Sequence, residues 1–333
     1  MNKILVLFLV FMLTCEVFAQ DIHWSQFTEN QLYLSPANSG NFEGTTRLSA
    51  LYRDQWRSVT KPFQSFAFNF DKRLGKNENF GLGFNFLNDV SGDGKFKTIE
   101  LNVMPSYTKL LKKDSSQSIR SGLQIGLNHR QFTFPNFYFD EQYNGISYDP
   151  NSPITENLIT DKKNNLTLGA GVVYEFRTKK KSTHKFGFSA YNLNQANQGF
   201  YGEKVKRDPR LLFFTIHQFK LGKKSILIPS FLFQSQGTYR EIVIGSQVRY
   251  TLKNESKNYK AIYGGLFLRN QDAIYLNLGI NLNKFQIGLS YDINISSLKP
   301  ASAGKGGFEI SLIYIFSKFK AKQIQHRICP EFI

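Results

Sequence analysis

Between Phe285 and Ser296 the chain reads FQIGLSYDINIS, apolar at every second position. Phe285, Ile287, Leu289, Tyr291, Ile293 and Ile295 share one face of an extended chain, and Gln286, Gly288, Ser290, Asp292 and Asn294 share the other. Successive side chains of a β-strand point to opposite faces, so an unbroken period of two implies a strand with one apolar and one polar side. The same period runs through residues 274–282, 80–86, 166–176 and 308–316, and no convincing 3.6-residue period competes with it. About fourteen such segments of roughly ten to fourteen residues follow one another, close to the ~9–11 residues that a tilted strand needs to cross a bilayer. They begin near residues 45, 62, 79, 97, 118, 164, 183, 209, 224, 238, 258, 273, 284 and 304.

A soluble β-sandwich normally uses strands of ~5–6 residues and packs two apolar faces together. Here the faces opposite the apolar ones carry Gly, Asn, Ser and Gln, which suit a polar lumen. Closing the sheet also removes the edges that lipid cannot hydrogen-bond. The fold class expected is all-β: a transmembrane antiparallel β-barrel of about fourteen strands with periplasmic termini, twelve and sixteen being the neighbouring counts. A helical membrane protein is excluded, because after residue 19 no stretch approaches the ~20 consecutive apolar residues a spanning helix needs.

The connections support the same count. An even-stranded barrel has short turns on the periplasmic side and longer loops outside. Every second connection is short and polar, and the long ones, over residues 131–164, 195–208 and 299–305, all fall at the other end. Much of the formal net charge of +17 concentrates on the short turns, at Lys112, Lys113, Lys179, Lys180, Lys181, Lys223 and Lys224. These lysines read either as a solvated rim or as an electrostatic seat for an acidic periplasmic partner. Nucleic acid is not an expected partner of an exported chain.

Export itself is read from Lys3, the apolar run of residues 4–13 and Val17-Phe18-Ala19, the order of a secretory signal peptide over residues 1–19. Cys15 follows Met12-Leu13-Thr14, a poor lipobox, so a lipoprotein is the lesser alternative. Cys329 would then be the one cysteine of the mature chain, which forbids an intramolecular disulfide. Chemistry is sparse. His23, His129, His184, His217 and His326 are scattered without metal-ligand spacing, so neither metal nor cofactor is expected. The segment LNHRQF around His129 lacks a serine two residues on, and an enzyme is not expected. SGDGK at residues 91–95 reads as a Gly-rich hairpin turn, lacking the other ligands of a calcium loop.

Two terminal segments need an explanation beyond strands. Residues 20–44, QDIHWSQFTENQLYLSPANSGNFEG, form an irregular lead whose Trp24, Phe27, Tyr33 and Leu34 are too apolar for water, so it is expected to fold into the barrel mouth. Residues 318–333 form a basic tail ending RICPEFI, with Cys329 expected as a small buried anchor. The lead QFTENQLYLSPANSG with Pro36 and Ala37, the YRDQW carrying Tyr52, Arg53, Gln55 and Trp56, the hairpin GLGFNFLNDVSGDG, and the closing CPEF with Cys329, Pro330 and Phe332 together resemble the PorP/SprF family of Bacteroidota outer-membrane proteins. Ser35 departs from the Asn expected before Pro36.

That resemblance implies a role in type IX secretion, assisting export or surface attachment of particular cargo proteins, some of them gliding adhesins. It also implies contact with periplasmic machinery such as a peptidoglycan-binding lipoprotein. The expected layout is a signal peptide over residues 1–19, the lead over 20–44, a barrel in outer-membrane lipid over 45–317, and a periplasmic tail over 318–333, with lead and tail in the same compartment. The competing function is an outer-membrane solute or lipid channel, since a Gly, Asn and Gln lumen tolerates water; a purely adhesive barrel comes third. Cargo is expected at the loop over residues 131–164 through Phe132, Phe134, Phe137, Tyr138, Phe139, Tyr143 and Tyr148. Equally, those rings could fold inward as a plug.

Overall fold

The computed structural model describes residues 21–57, 61–75, 79–92, 94–112, 114–132, 140–149, 152, 161–179, 182–200, 202–255, 258–297 and 299–316. Among them, fourteen antiparallel strands close into one barrel. The strands are β1 (Thr46–Gln55), β2 (Phe63–Leu74), β3 (Phe80–Ser91), β4 (Phe96–Leu110), β5 (Gln117–Gln131), β6 (Lys162–Arg177) and β7 (Thr183–Tyr191). They continue with β8 (Arg210–Leu221), β9 (Ser225–Gln236), β10 (Tyr239–Glu255), β11 (Asn258–Arg269), β12 (Ala273–Leu282), β13 (Phe285–Asn294) and β14 (Lys305–Phe316). Each start lies within two residues of the alternation-based one. Every strand pairs with its sequence neighbour, and β1 closes on β14 with Thr46 opposite Phe316 and Asp54 opposite Phe308.

Exposure follows the alternation in the sense opposite to a soluble protein. Along β12, Ile274, Leu276 and Leu278 are 42–49% exposed while Tyr275 and Asn277 are at most 1%. The apolar face is the outer wall, which is stable only against hydrocarbon. No helix among the described residues is long and apolar enough to cross a membrane. The short turns after β2, β4, β6, β8, β10 and β12 share one end of the barrel with the end of β14, and the longer connections share the other.

The lumen departs from a purely polar interior because β8 and β9, RLLFFTI and SILIPSFLF, are apolar on both faces. Leu212, Phe214, Ile228 and Leu232 point inward and bury Phe27, Leu34 and Ala37 of the lead, with Phe267 and Tyr275 completing the cluster. Trp24 sits in a smaller cluster with Leu51, Ala67 and Leu87. Fully burying a side chain of this size contributes ~1.5–3 kcal/mol, which explains why an irregular segment stays inside.

The lead threads the whole lumen. Asp21 lies at the long-connection end beside Gln236, Arg207 and Arg210, while Gly44 reaches the short-turn end beside Phe316. Of the lead, only the Gly44 end therefore lies where β14 stops, while Asp21 lies at the opposite end; the tail, residues 318–333, lies outside the described residues. Between these ends the lead forms a four-residue helix α1 (Gln31–Leu34) and a 3-10 turn (Pro36–Asn38). Ser35 Oγ accepts the Ala37 N–H at 3.2 Å, the N-cap role an Asn would fill, so the departure at this position preserves the turn.

Two wall glycines make room for this path. A Cβ on Gly122 would overlap the backbone of Pro36 and Ala37, and one on Gly81 the carbonyl of Ser39. Gly122→Ala should displace the 3-10 turn while β5 stays paired, giving a heat-modifiable barrel whose lead is cut faster by added protease. Unchanged protection of the lead would show that the close approach is unimportant.

Candidate functional site

The lead is tied to the wall by buried charge. Arg53, fully buried in the YRDQW segment, donates through Nη1 to Glu309 Oε2 and through Nη2 to Asp292 Oδ2, each at 2.9 Å. The backbone N–H groups of Ser25 and Gln26 donate to the two Glu309 carboxylate oxygens, each at 2.9 Å, and Ser25 Oγ donates to Asp292 Oδ1 at 2.7 Å. Arg269 completes the cluster, donating to Asp292 at 3.1 Å and to Ser25 Oγ at 2.8 Å. Every member of the cluster gains a partner of opposite charge or a charge-assisted bond, the condition for burying ions without a large penalty.

On the other side of the lumen four amides run in a row across adjacent strands. Asn69 Nδ2 donates to Asn30 Oδ1 of the lead at 3.1 Å, Asn85 to Asn69 at 2.7 Å, Asn102 to Asn85 at 3.0 Å, and Gln124 to Asn102 at 3.0 Å. Asn69, Asn85 and Asn102 are directly opposite one another on β2, β3 and β4, so the ladder follows from register.

This ladder borders a cavity of about 420 Å³ that reaches from the long-connection end to Met104 and Gln124 in mid-barrel, with Tyr33 of the lead at its side. Asp21, at its rim, accepts from Arg207 Nε at 3.1 Å and from Asn192 at 3.1 Å. Arg207 Nη1 lies 2.8 Å from Glu100. Burial alone would raise the Asp21 carboxyl, but Arg207 and Arg210 outweigh it and hold it below the usual carboxylate range. Burial likewise opposes the Arg207 charge, and Asp21 and Glu100 outweigh that, raising its pKa.

The residues singled out in the sequence fall into three groups. Pro36, Ala37 and Arg53 belong to the plug and its anchor; Gln55 Nε2 approaches His23 Nε2 at 3.5 Å, and Trp56 turns out of β1 with φ 63°. Tyr52 accepts from Gln64 at 2.9 Å. Lys112, Lys179, Lys223 and Lys224 are exposed at the short-turn end. Phe132 does not offer a surface: it is buried, its ring 4.8 Å from that of Phe200 in an edge-on contact. Tyr143 and Tyr148 are exposed and bridge one another. Phe134, Phe137, Tyr138, Phe139, Lys113, Lys180, Lys181, Cys329, Pro330 and Phe332, like residues 1–20 and 317–333, lie outside the described residues.

Reading by residue missed the role of Asp292, Glu309 and Arg269, although carboxylates in mid-strand on a Gly, Ser and Asn face are a visible signal. It also missed that His184, stacked on Phe176 on the outer wall, faces His217 across β7 and β8, Nδ1 to Nδ1 3.0 Å. No group of three potential metal ligands occurs among the described residues.

Fourteen strands with an apolar outer wall, filled by the chain's own N-terminal segment, define a plugged outer-membrane β-barrel. Similar solved structures include the toluene transporter TbuX of Ralstonia pickettii, 8% identical with a TM-score of 0.51 over 86% of this chain and 94% of that one. A FadL homologue of Pseudomonas aeruginosa is 11% identical, TM-score 0.46, over 86% and 94%. The P. putida toluene transporter TodX is 7% identical, TM-score 0.46, over 86% and 93%. At 8% identity the likeness to TbuX is one of fold alone. Among curated proteins none matches the sequence. Residues 16–314 match the family described as type IX secretion system membrane protein PorP/SprF. The chain belongs to that family, and is an outer-membrane component of type IX secretion.

Arg53→Gln removes one partner from a buried ion cluster and should destabilise the barrel by about 3–5 kcal/mol. The readout is a lower urea midpoint of the detergent-solubilised protein, with part of the loss recovered in the Arg53→Gln, Glu309→Gln double variant. An unchanged midpoint in the single variant would show that the cluster adds nothing to stability.

Proposed function

We propose that this barrel is a non-enzymatic accessory that receives or holds exported cargo protein at the cell surface. The observation that supports it is the lead, which occupies the lumen from end to end and is anchored by the Arg53 cluster. A solute channel would have to break those buried ion pairs at each opening, whereas a receptor uses the plug as a rigid floor. On this reading the long connections face outward and meet cargo, with gliding adhesins as the class the family suggests. Tyr143, Tyr148 and the 91%-exposed Ile146 then supply the contact surface in place of Phe132. The lysine turns and the tail face the periplasm, where Lys112, Lys179, Lys223 and Lys224 suit an acidic machinery component such as a peptidoglycan-binding lipoprotein.

Orientation is tested by single cysteines compared with the parent background. Ile146→Cys should react with a membrane-impermeant maleimide on intact cells, and Lys223→Cys only after the outer membrane is opened. The reverse pattern would invert the barrel and remove the cargo face.

Function is tested by removing residues 140–149 and comparing the surface proteome with that of a gene deletion. Both strains should lose the same few surface proteins, while the shortened barrel remains heat-modifiable. An unchanged surface proteome in the gene deletion, with uptake of one solute lost, would favour a channel instead.

A further inference from the structure

Two arginines lining the cavity beside the lead keep buried N–H groups without a hydrogen-bond partner: Arg130 at Nε, while its Nη1 donates to Gln198, and Arg210 at Nε and Nη1. Arg210, at the start of β8, is only 3% exposed, yet its Nη1 has no hydrogen-bond partner and its Nε comes no closer than 3.7 Å to Asp21. The 3.7 Å ion pair with Asp21 balances the Arg210 charge without hydrogen-bonding it; a buried guanidinium N–H left without an acceptor is costly, and such a group in a native cavity points to what the cavity takes. Its position is fixed: the guanidinium carbon lies 4.0 Å from the Tyr33 ring centre and 4.5 Å from that of Tyr191, while Tyr191 Oη donates to the Tyr33 carbonyl at 3.0 Å. The lead therefore builds this site as well as plugging the lumen.

The carboxylates around it are already engaged. Asp21 and Glu100 are both held by Arg207, Glu100 also accepts from Asn128 at 2.8 Å, and Asp89 accepts from Ser65 at 2.6 Å. What remains unmet is demand for a further acceptor. Phe63, Phe96, Leu87 and Met104 supply apolar wall among Ser91, Thr98 and Arg130, and Asn85, Asn102 and Gln124 of the amide ladder also line the space. A volume of about 420 Å³ is within the ~300–1,000 Å³ of small-ligand sites.

We propose that this cavity binds a carboxylate carried on an apolar or aromatic body, with the carboxylate at Arg210 and the body among Phe63, Phe96, Leu87 and Met104. Two sources share that chemistry: the free C-terminal end of a peptide chain entering from the long-connection side, and a small organic acid. Binding to the purified barrel is independent of any effect on export, so this proposal and the accessory reading fail separately.

The test uses the full barrel in detergent, with binding followed by saturation-transfer NMR and calorimetry. The probes are acetyl-Gly-Gly-Phe as free acid and as C-terminal amide, and 3-phenylpropionate with 3-phenylpropionamide. The acids should bind at least about tenfold more tightly than their amides, a contrast that needs no variant. Arg210→Gln should bring the acid down to the amide's level. Binding of the peptide acid alone supports a chain end, and binding of phenylpropionate as well supports a free acid. Equal binding of acid and amide, or no binding of either acid to the unaltered protein, overturns the proposal.

Discussion

Arg53 holds the structure together because it is the point at which three separate parts of the chain are made to agree. It lies on β1, its two carboxylate partners lie on β13 and β14, and the same carboxylates accept the backbone of Ser25 and Gln26. A guanidinium with no solvent access tolerates little displacement of either carboxylate, since a lost bond would leave a bare ion in a medium that solvates it poorly. The lead is thus held by charge at its long-connection half. At the other half Asp71 does the same work, accepting from Arg47 Nε at 2.8 Å and from the Gly40 N–H at 2.8 Å.

Between these anchors the lumen has two chemistries. The wall formed by β7 to β12 turns Phe, Leu and Ile inward and packs the lead as an ordinary hydrophobic core would. The wall formed by β2 to β5 presents amides, each bonded to the next, and leaves a cavity between itself and the lead. The asymmetry matters for function: one wall fixes the plug by burial, and the other keeps space beside it. The cation held between Tyr33 and Tyr191 stands where the two meet.

The outer wall was legible in the sequence because lipid exposure imposes a strict rule on every second residue, and strand length is set by membrane thickness. That is why the strand starts near residues 80, 273 and 285 could be read from periodicity alone. The interior obeys no such rule. An inward side chain is judged by partners that sit hundreds of residues away, as Arg53 is by Glu309, and periodicity carries no information about pairs. Phe132 reads equally as a cargo contact and as an inward-folded ring for a related reason: only the position of Phe200, far along the chain, decides that it is covered. YRDQW could be recognised as a motif, but the work of its arginine emerges only from β13 and β14.

The anchor at Arg53 also bears on the order in which such a barrel can be assembled. Ser25 and Glu309 are separated by 284 positions, and the seam where β1 meets β14 is the contact between the first strand and the last. Contacts this remote in sequence form late, since the loop they close must first be organised. The residues that pin the lead are carried by the final two strands and by the first, so seating the lead and zipping the seam depend on the same side chains. A barrel that closed without the lead would bury Asp292 and Glu309 without Ser25 and Gln26, and a lead excluded at that moment would have to re-enter a shut cylinder.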